Sequence, residues 1–196
     1  MGLVINLIWC QSENNVIGQK LPDNKLTGSR TSSYIMPWPK NKEDLQHFKK
    51  LTTGNGNNAV LMGYNTYFSL NKKPLSNRHN FVLTKKHYSE LNTLFDNECN
   101  VNLFTPYQTI EGVINACEFL NVDELWIIGG GSLYELFLQK YSHKVSKIYR
   151  TIIPTKLAIN SDTILIPNIL DIPIFFNEIS YKELETCKIQ CFEPEF

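Results

Sequence analysis

The run Val4-Ile5-Asn6-Leu7-Ile8-Trp9-Cys10 admits few placements. A strand apolar on both sides must be covered on both faces, as a central strand of a parallel sheet is. Similar short runs recur at Ala59-Val60-Leu61-Met62, Asn80-Phe81-Val82-Leu83-Thr84, residues 101 to 104 and Leu125-Trp126-Ile127-Ile128. Helical stretches separate them. Ile110, Val113, Ile114, Cys117 and Leu120 fall at helical spacing after Thr105-Pro106, residues 132 to 140 continue as a helix, and residues 66 to 70 open a short one. This alternation predicts an α/β fold: a single domain with a mostly parallel central sheet and helices on both faces. Past Val145 the pattern changes. Residues 145 to 153, 174 to 179 and 187 to 192 read as strands with no helix between them, so the sheet should end in antiparallel C-terminal strands. Residues 85 to 98 carry little signal. Residues 11 to 40 read as a long polar stretch, with an enlarged loop at about 19–35; a loop of that length in a compact domain is usually functional or partly disordered.

The 196 residues fit one domain, 1–196, with enough chain for a substantial core. The formal net charge is zero, so nothing global points to nucleic acid or to an anionic membrane. Cys10, Cys99, Cys117, Cys187 and Cys191 are odd in number and scattered, which reads as free thiols in a reducing, cytoplasmic compartment. The apolar N-terminus lacks a basic n-region and a cleavage site, and reads as a buried strand rather than a signal peptide. His47, His79, His87 and His143 show no metal-ligand spacing, and no metal is expected.

A helix is expected from Asn41 to about Thr52-Thr53. Asn41 suits the N-cap, Glu43 and Asp44 the first turn, and Lys49 and Lys50 the end. Phe48 and Leu51 form its apolar stripe, with Leu45 at the edge. Asp44, four residues before Phe48, lies on the stripe or its margin. A carboxylate facing the interior is costly unless something binds it; equally, Asp44 reads as a plain first-turn dipole residue. Gly129-Gly130-Gly131 sits where a strand gives way to a helix. It is either a tight turn or a place where phosphate approaches backbone, and it fits neither G-x-G-x-x-G nor a P-loop. Arg78 and Lys85 bracket one strand. Thr84-Lys85, at the strand's C-terminal end, is a candidate anion site, and Arg78 can grip a carboxylate through a bidentate contact. Thr151 is either a structural strand residue or a hydroxyl that satisfies a buried carboxylate such as Asp44. Trp38, between two prolines, reads as a packing residue.

In this order the pieces resemble the dihydrofolate reductase family. The matching stretches are Asn15-Val16-Ile17-Gly18, Met36-Pro37-Trp38, Asp44-Leu45-x-x-Phe48-Lys49-Lys50, Met62-Gly63-x-x-Thr66, Pro74-Leu75-x-x-Arg78 and Val82-Leu83-Thr84-Lys85. They continue with Trp126-Ile127-Ile128-Gly129-Gly130-Gly131-Ser132-Leu133-Tyr134, Tyr149-x-Thr151 and Asp162-Thr163. The resemblance spans nearly the whole chain and implies NADPH-dependent reduction of 7,8-dihydrofolate to 5,6,7,8-tetrahydrofolate, by hydride transfer to pterin C6 and protonation of N5. It implies that Asp44 is the pterin-binding carboxylate, supported by the Thr151 hydroxyl, with water near Met36 and Trp38 as proton donor. Ile8 and Ile128 would present carbonyls to the pterin. Leu45, Phe48, Leu70 and Leu75 would line its pocket, and Arg78 would take the glutamate carboxylate. On the cofactor side, Cys10, Ile17 and Gly18 would border the nicotinamide with Tyr134 nearby. Thr66, Gly130 and Gly131 would approach the diphosphate, Gly63 and Ser132 would also contact the cofactor, and Thr84 and Lys85 would contact the 2′-phosphate.

The chain departs from the family pattern in three places. The segment from Gly18 to Met36 is longer than the usual lid loop, Tyr64 and Asn65 stand where basic residues are common, and Trp9 is bulky for the first strand. The implied partners are dihydrofolate and antifolate inhibitors, with no nucleic acid, no membrane and a monomeric state. The rival readings are a non-catalytic folate- or NADPH-binding protein and a related pyrimidine reductase on the same fold. Met36-Pro37-Trp38 with Asp44 and Arg78 argues against the second.

Overall fold

The computed structural model describes residues 2–21, 34–97, 104–166 and 174–195. In chain order its strands are β1 (Val4–Ser12), β2 (Val16–Lys20), β3 (Tyr34–Ile35), β4 (Asn58–Gly63), β5 (Arg78–Leu83), β6 (Phe104–Tyr107), β7 (Glu124–Ile127), β8 (Lys147–Ile153), β9 (Thr163–Leu165), β10 (Phe176–Glu183) and β11 (Lys188–Pro194). The helices are α1 (Lys42–Thr53), α2 (Tyr64–Ser69), α3 (Tyr88–Asn97), α4 (Ile110–Phe119) and α5 (Gly131–Lys140). Eight strands form the main sheet in the order β10-β11-β8-β1-β7-β4-β5-β6. The apolar first strand is central: β1 pairs in parallel with β7 on one side and β8 on the other. Parallel pairing continues from β7 to β4, β5 and β6, while β11 runs antiparallel to β8 and β10. A mostly parallel sheet ending in antiparallel C-terminal strands is thus what the alternation of elements produces.

Both faces of the sheet are covered. On one, Ile5, Leu7 and Trp9 of β1 pack with Val113 and Cys117 of α4 and with Phe137 and Leu138 of α5. On the other, Ile8, Val60, Met62 and Trp126 pack with Tyr67 of α2 and with Phe48 and Leu51 of α1. Alternate side chains of each strand feed opposite cores, which is why these strands read as continuous apolar runs.

The structure differs from the sequence reading in several places. The weakly patterned stretch at 85 to 98 contains α3, whose Leu91 is buried among polar neighbours that mask its period. Thr105 and Pro106 lie within β6 rather than leading directly into a helix; the N-cap of α4 is Thr109. Residues 101–103 of the strand expected there lie outside the described residues. The polar segment after β1 contributes β2 and β3, which join β9 in a separate sheet of order β3-β2-β9. These short strands alternate too briefly to give a period-2 signal. Residues 22–33 of the expected enlarged loop lie outside the described residues.

Helix α1 begins at the Asn41 cap. The Asn41 side chain accepts a 2.9 Å hydrogen bond from the Asp44 backbone N–H, and its amide donates to the Thr186 carbonyl and hydroxyl at 3.1 and 2.9 Å. Glu43 accepts from the Thr186 backbone N–H at 2.8 Å and from its hydroxyl. The first turn of α1 is therefore pinned to the turn joining β10 and β11. Asn41→Ala should lower the unfolding free energy by about 1 kcal/mol or somewhat more, because the cap and the Thr186 bonds go together. Urea titration checks this, and a midpoint equal to wild type would mean that the cap holds nothing.

Candidate active site

Parallel strands deliver their C-terminal ends to one side of a sheet, and ligands of open α/β sheets bind there. In this fold the ends of β1, β4, β5 and β7, with α1, α2 and the start of α5, enclose a cavity of about 920 Å³. One wall is apolar: Ile8, Leu45, Phe48, Leu70, Leu75 and Ile128. Leu45 is the edge residue of its helix and is half exposed into this space. Met36 also lines the cavity and is half exposed.

Asp44 stands at the end of that wall. Residues Cys10 and Thr151 are direct neighbours in the β1–β8 register, and both side chains hydrogen-bond to the Asp44 carboxylate. Burial pushes the carboxyl above the ordinary aspartate range, against the pull of these two donors. The adjacent Glu43 goes the other way. It is partly exposed, and its bonds to Thr186 hold it below the usual range. Neighbouring carboxylates with opposite shifts separate the structural group from the one poised for a ligand.

The opposite wall is backbone-rich. Gly63, Thr66, Gly130, Gly131 and Ser132 line it, along with Cys10, Ile17, Gly18 and Tyr134. The Gly63 N–H donates to Gly129 O at 2.7 Å, joining the ends of β4 and β7. Gly129 has φ 104°, and a β-carbon there would lie 2.9 Å from the Tyr134 ring. A Cβ on Gly131 would stand 3.0 Å from Ile164. Tyr134, fully enclosed, donates its hydroxyl to the Ile8 carbonyl at 2.8 Å and so fixes the end of β1. Trp9 is accommodated by burial: its ring lies 5.6 Å from Tyr134, and its indole N–H donates to Gln11 at 2.7 Å.

Several residues singled out in the sequence lie behind the cavity rather than on its walls. Thr151 reaches it through Asp44. Trp38 packs against Cys10, Ile153, Cys187 and Ile189. Arg78 sits beside the Phe48 ring, 6.0 Å away, and donates to Thr52 Oγ1 at 2.7 Å and Ser76 O at 3.0 Å. It has no carboxylate partner among the described residues, and burial lowers its pKa. Thr84 is buried and accepts the His87 N–H at 3.2 Å, while Lys85 is exposed. Contributors that sequence reading missed include Ile35 from β3, Ile164 from β9, and His87 after β5. The Asp162-Thr163 pair adjoins Ile164; the other two carried no signal.

A dihydrofolate reductase family model matches residues 4–186. The bifunctional dihydrofolate reductase-thymidylate synthase of Acanthamoeba polyphaga mimivirus is 26% identical over 183 residues, covering 89% of this chain and 28% of that protein. The dihydrofolate reductase of Ureaplasma parvum serovar 3 is 33% identical over 135 residues, 69% of this chain and 68% of the relative. That of Haemophilus influenzae is 30% identical over 183 residues, 93% and 84% respectively. The chain thus spans less than a third of the bifunctional relative and most of the single-function ones.

The raised Asp44 carboxyl has a consequence for stability. In the window above the ordinary aspartate value of about 3.9, the folded state holds this proton more tightly than the unfolded chain. Stability from this group is therefore full below that value and lost as pH rises through the folded one. At neutral pH the ionised carboxylate opposes folding. Asp44→Asn should raise the melting temperature at pH 7 by a few degrees, and the gap should narrow as pH falls. Thermal melts at several pH values check this; a mutant less stable at pH 7 would show that the carboxylate is not strained by burial.

Proposed function

This chain belongs to the dihydrofolate reductase family, and on that premise we propose that it reduces 7,8-dihydrofolate to tetrahydrofolate with NADPH, in a reducing, cytoplasmic setting and as a monomer. The observation that carries the reading is Asp44: one half-buried carboxylate at the edge of an apolar cavity, held by two donors and facing no cation among the described residues. A flat heterocycle with adjacent N–H donors satisfies it, as a pteridine offers through N3 and its 2-amino group. The wall of Ile8, Phe48 and Ile128 suits the ring faces. Arg78, a half-buried guanidinium without a carboxylate partner among the described residues, suits the glutamate carboxylate.

A dinucleotide fits the second wall. Gly63, Gly130 and Gly131 leave space that β-carbons would fill, and α5 starts there from Gly130 with no side-chain cap. When bound, the cofactor supplies the hydride from nicotinamide C4. The chain's own residues do the rest. Cys10, Ile17 and Tyr134 bound the space where the two rings meet, which holds reactants in register and limits water. Asp44 anchors the pteridine and, as a charge in an apolar setting, favours protonation of the ring during transfer. It acts on N5 through the ring and through water admitted beside Met36, rather than by direct contact. The four described cysteines are free and buried, which supports the reducing setting.

The test follows loss of reduced-nicotinamide absorbance on adding dihydrofolate. Wild type should oxidise NADPH only when dihydrofolate is present, and Asp44→Asn should lose about 100-fold or more in kcat/KM while keeping its fold. Wild-type protein that binds both ligands yet shows no turnover would replace this reading with that of a binding protein.

A further inference from the structure

A carboxylate has two oxygens and about four acceptor positions. The pteridine proposed above would fill two of them through N3 and its 2-amino group, and the protein supplies donors for the others. Thr151 and Cys10 donate there from paired positions of β8 and β1, side by side at the strand spacing of about 4.8 Å. The two donors are not placed alike. Thr151 lies behind the carboxylate, whereas Cys10 lines the cavity itself while remaining buried.

Nor are they chemically alike. A hydroxyl donates or accepts, so Thr151 can serve either form of the carboxyl group, donating to the anion and accepting from the acid. A thiol is a weak donor and a weak acceptor, and it gains most from a charged partner. Cys10 therefore favours the ionised form of Asp44. The thiol keeps its own proton, because burial first and the Asp44 charge second push it far above the ordinary cysteine range. Burial likewise keeps the Tyr134 phenol protonated, and that proton is committed to the Ile8 carbonyl. Cys187, on the turn between β10 and β11, feels the same carboxylate and is pushed up to about 11 by burial, Glu43 and Asp44. On α1 itself, Glu43 turns to Thr186, and His47 is held below its ordinary value by burial and then by Lys182 and Lys50. Asp44 thus has neutral donors and no ion-pair partner among the described residues.

We propose that Cys10 is a positioning residue for dihydrofolate: its thiol donates to the Asp44 carboxylate from the cavity side and holds that group as the anion that the N–H pair of the pteridine requires. The inference rests on the reductase reading and adds to it a residue that acts through Asp44 rather than on the ring. Serine at this position would donate more strongly to the anion and alanine not at all, while both are smaller than cysteine. Lost packing therefore affects the two variants alike, and the donor separates them.

The experiment titrates the Asp44 carboxyl carbon by NMR in free wild type, Cys10→Ala and Cys10→Ser, and measures dihydrofolate dissociation constants over the same pH range by quenching of protein fluorescence. Cys10→Ala should bind the Asp44 proton about threefold or more tightly than wild type, the order expected on losing one weak donor to a charge. Cys10→Ser should bind it no more tightly than wild type. On the acid side of the midpoint, dihydrofolate should bind Cys10→Ala about threefold or more weakly, since that loss mirrors the extra proton affinity. The gap should close as pH rises, and Cys10→Ser should recover the loss. Equal midpoints in wild type and Cys10→Ala, or a midpoint raised equally in both variants, would overturn the proposal. Should Cys10→Ala fail to fold, a Cys10→Ser midpoint above wild type does the same. If such a result comes from an enzyme that still oxidises NADPH with dihydrofolate, only the role of Cys10 falls; if wild type binds dihydrofolate at no pH, the reductase reading falls and takes this role with it.

Discussion

Everything about this site depends on where one carboxylate is held. Asp44 occupies the first turn of α1 at the margin between apolar core and cavity, where burial withdraws it in part from water and no counter-charge among the described residues relieves it. An isolated charge in such a place is unfavourable. Three features keep it there. The Asn41 cap and the Thr186 bonds fix the helix start, Phe48 and Leu51 dock the helix on the sheet, and Cys10 and Thr151 supply donors from adjacent strands. The strain at Asp44 is what makes the site selective for a ligand that brings N–H groups to it.

The sheet supplies the rest of the geometry. Because β1, β4, β5 and β7 run parallel, their C-terminal ends converge, and loops that are far apart in sequence share one cavity. Glycines at the ends of β4 and β7 bring backbone close to that space, and the phenol of Tyr134 braces the end of β1 through the Ile8 carbonyl. The small sheet of β2, β3 and β9 closes the side, placing Ile17, Ile35 and Ile164 against the cavity. Packing on two faces and ligand binding at one end are therefore consequences of the same topology.

Much of this was legible in the residues. The apolar runs of β1, β4 and β7 announced buried parallel strands, and the helical-face count put Asp44 on the inner margin of α1, with Asn41 as its cap. Other features were not. The second sheet is built from strands of two to five residues whose pairing is set by distant partners, as when Lys20 donates to Asp162 and Ile166 to Asn15. His87 had no periodic or motif signal, since its place on the wall comes from Thr84, Glu90 and the Tyr64 ring. Arg78 illustrates a different limit. Its type suggested carboxylate recognition, but only the structure shows it behind Phe48 and tied to Thr52.

The central claim is that burial holds the Asp44 carboxyl above the ordinary aspartate range in the free protein. The most direct measurement is a titration of its side-chain carbon resonance by NMR, assigned by its disappearance in Asp44→Asn. The account requires a midpoint above the usual value of about 3.9 for an aspartate. A midpoint at or below that value would mean that the donors from Cys10 and Thr151 outweigh burial, and the carboxylate would then be a satisfied structural group rather than one awaiting a ligand.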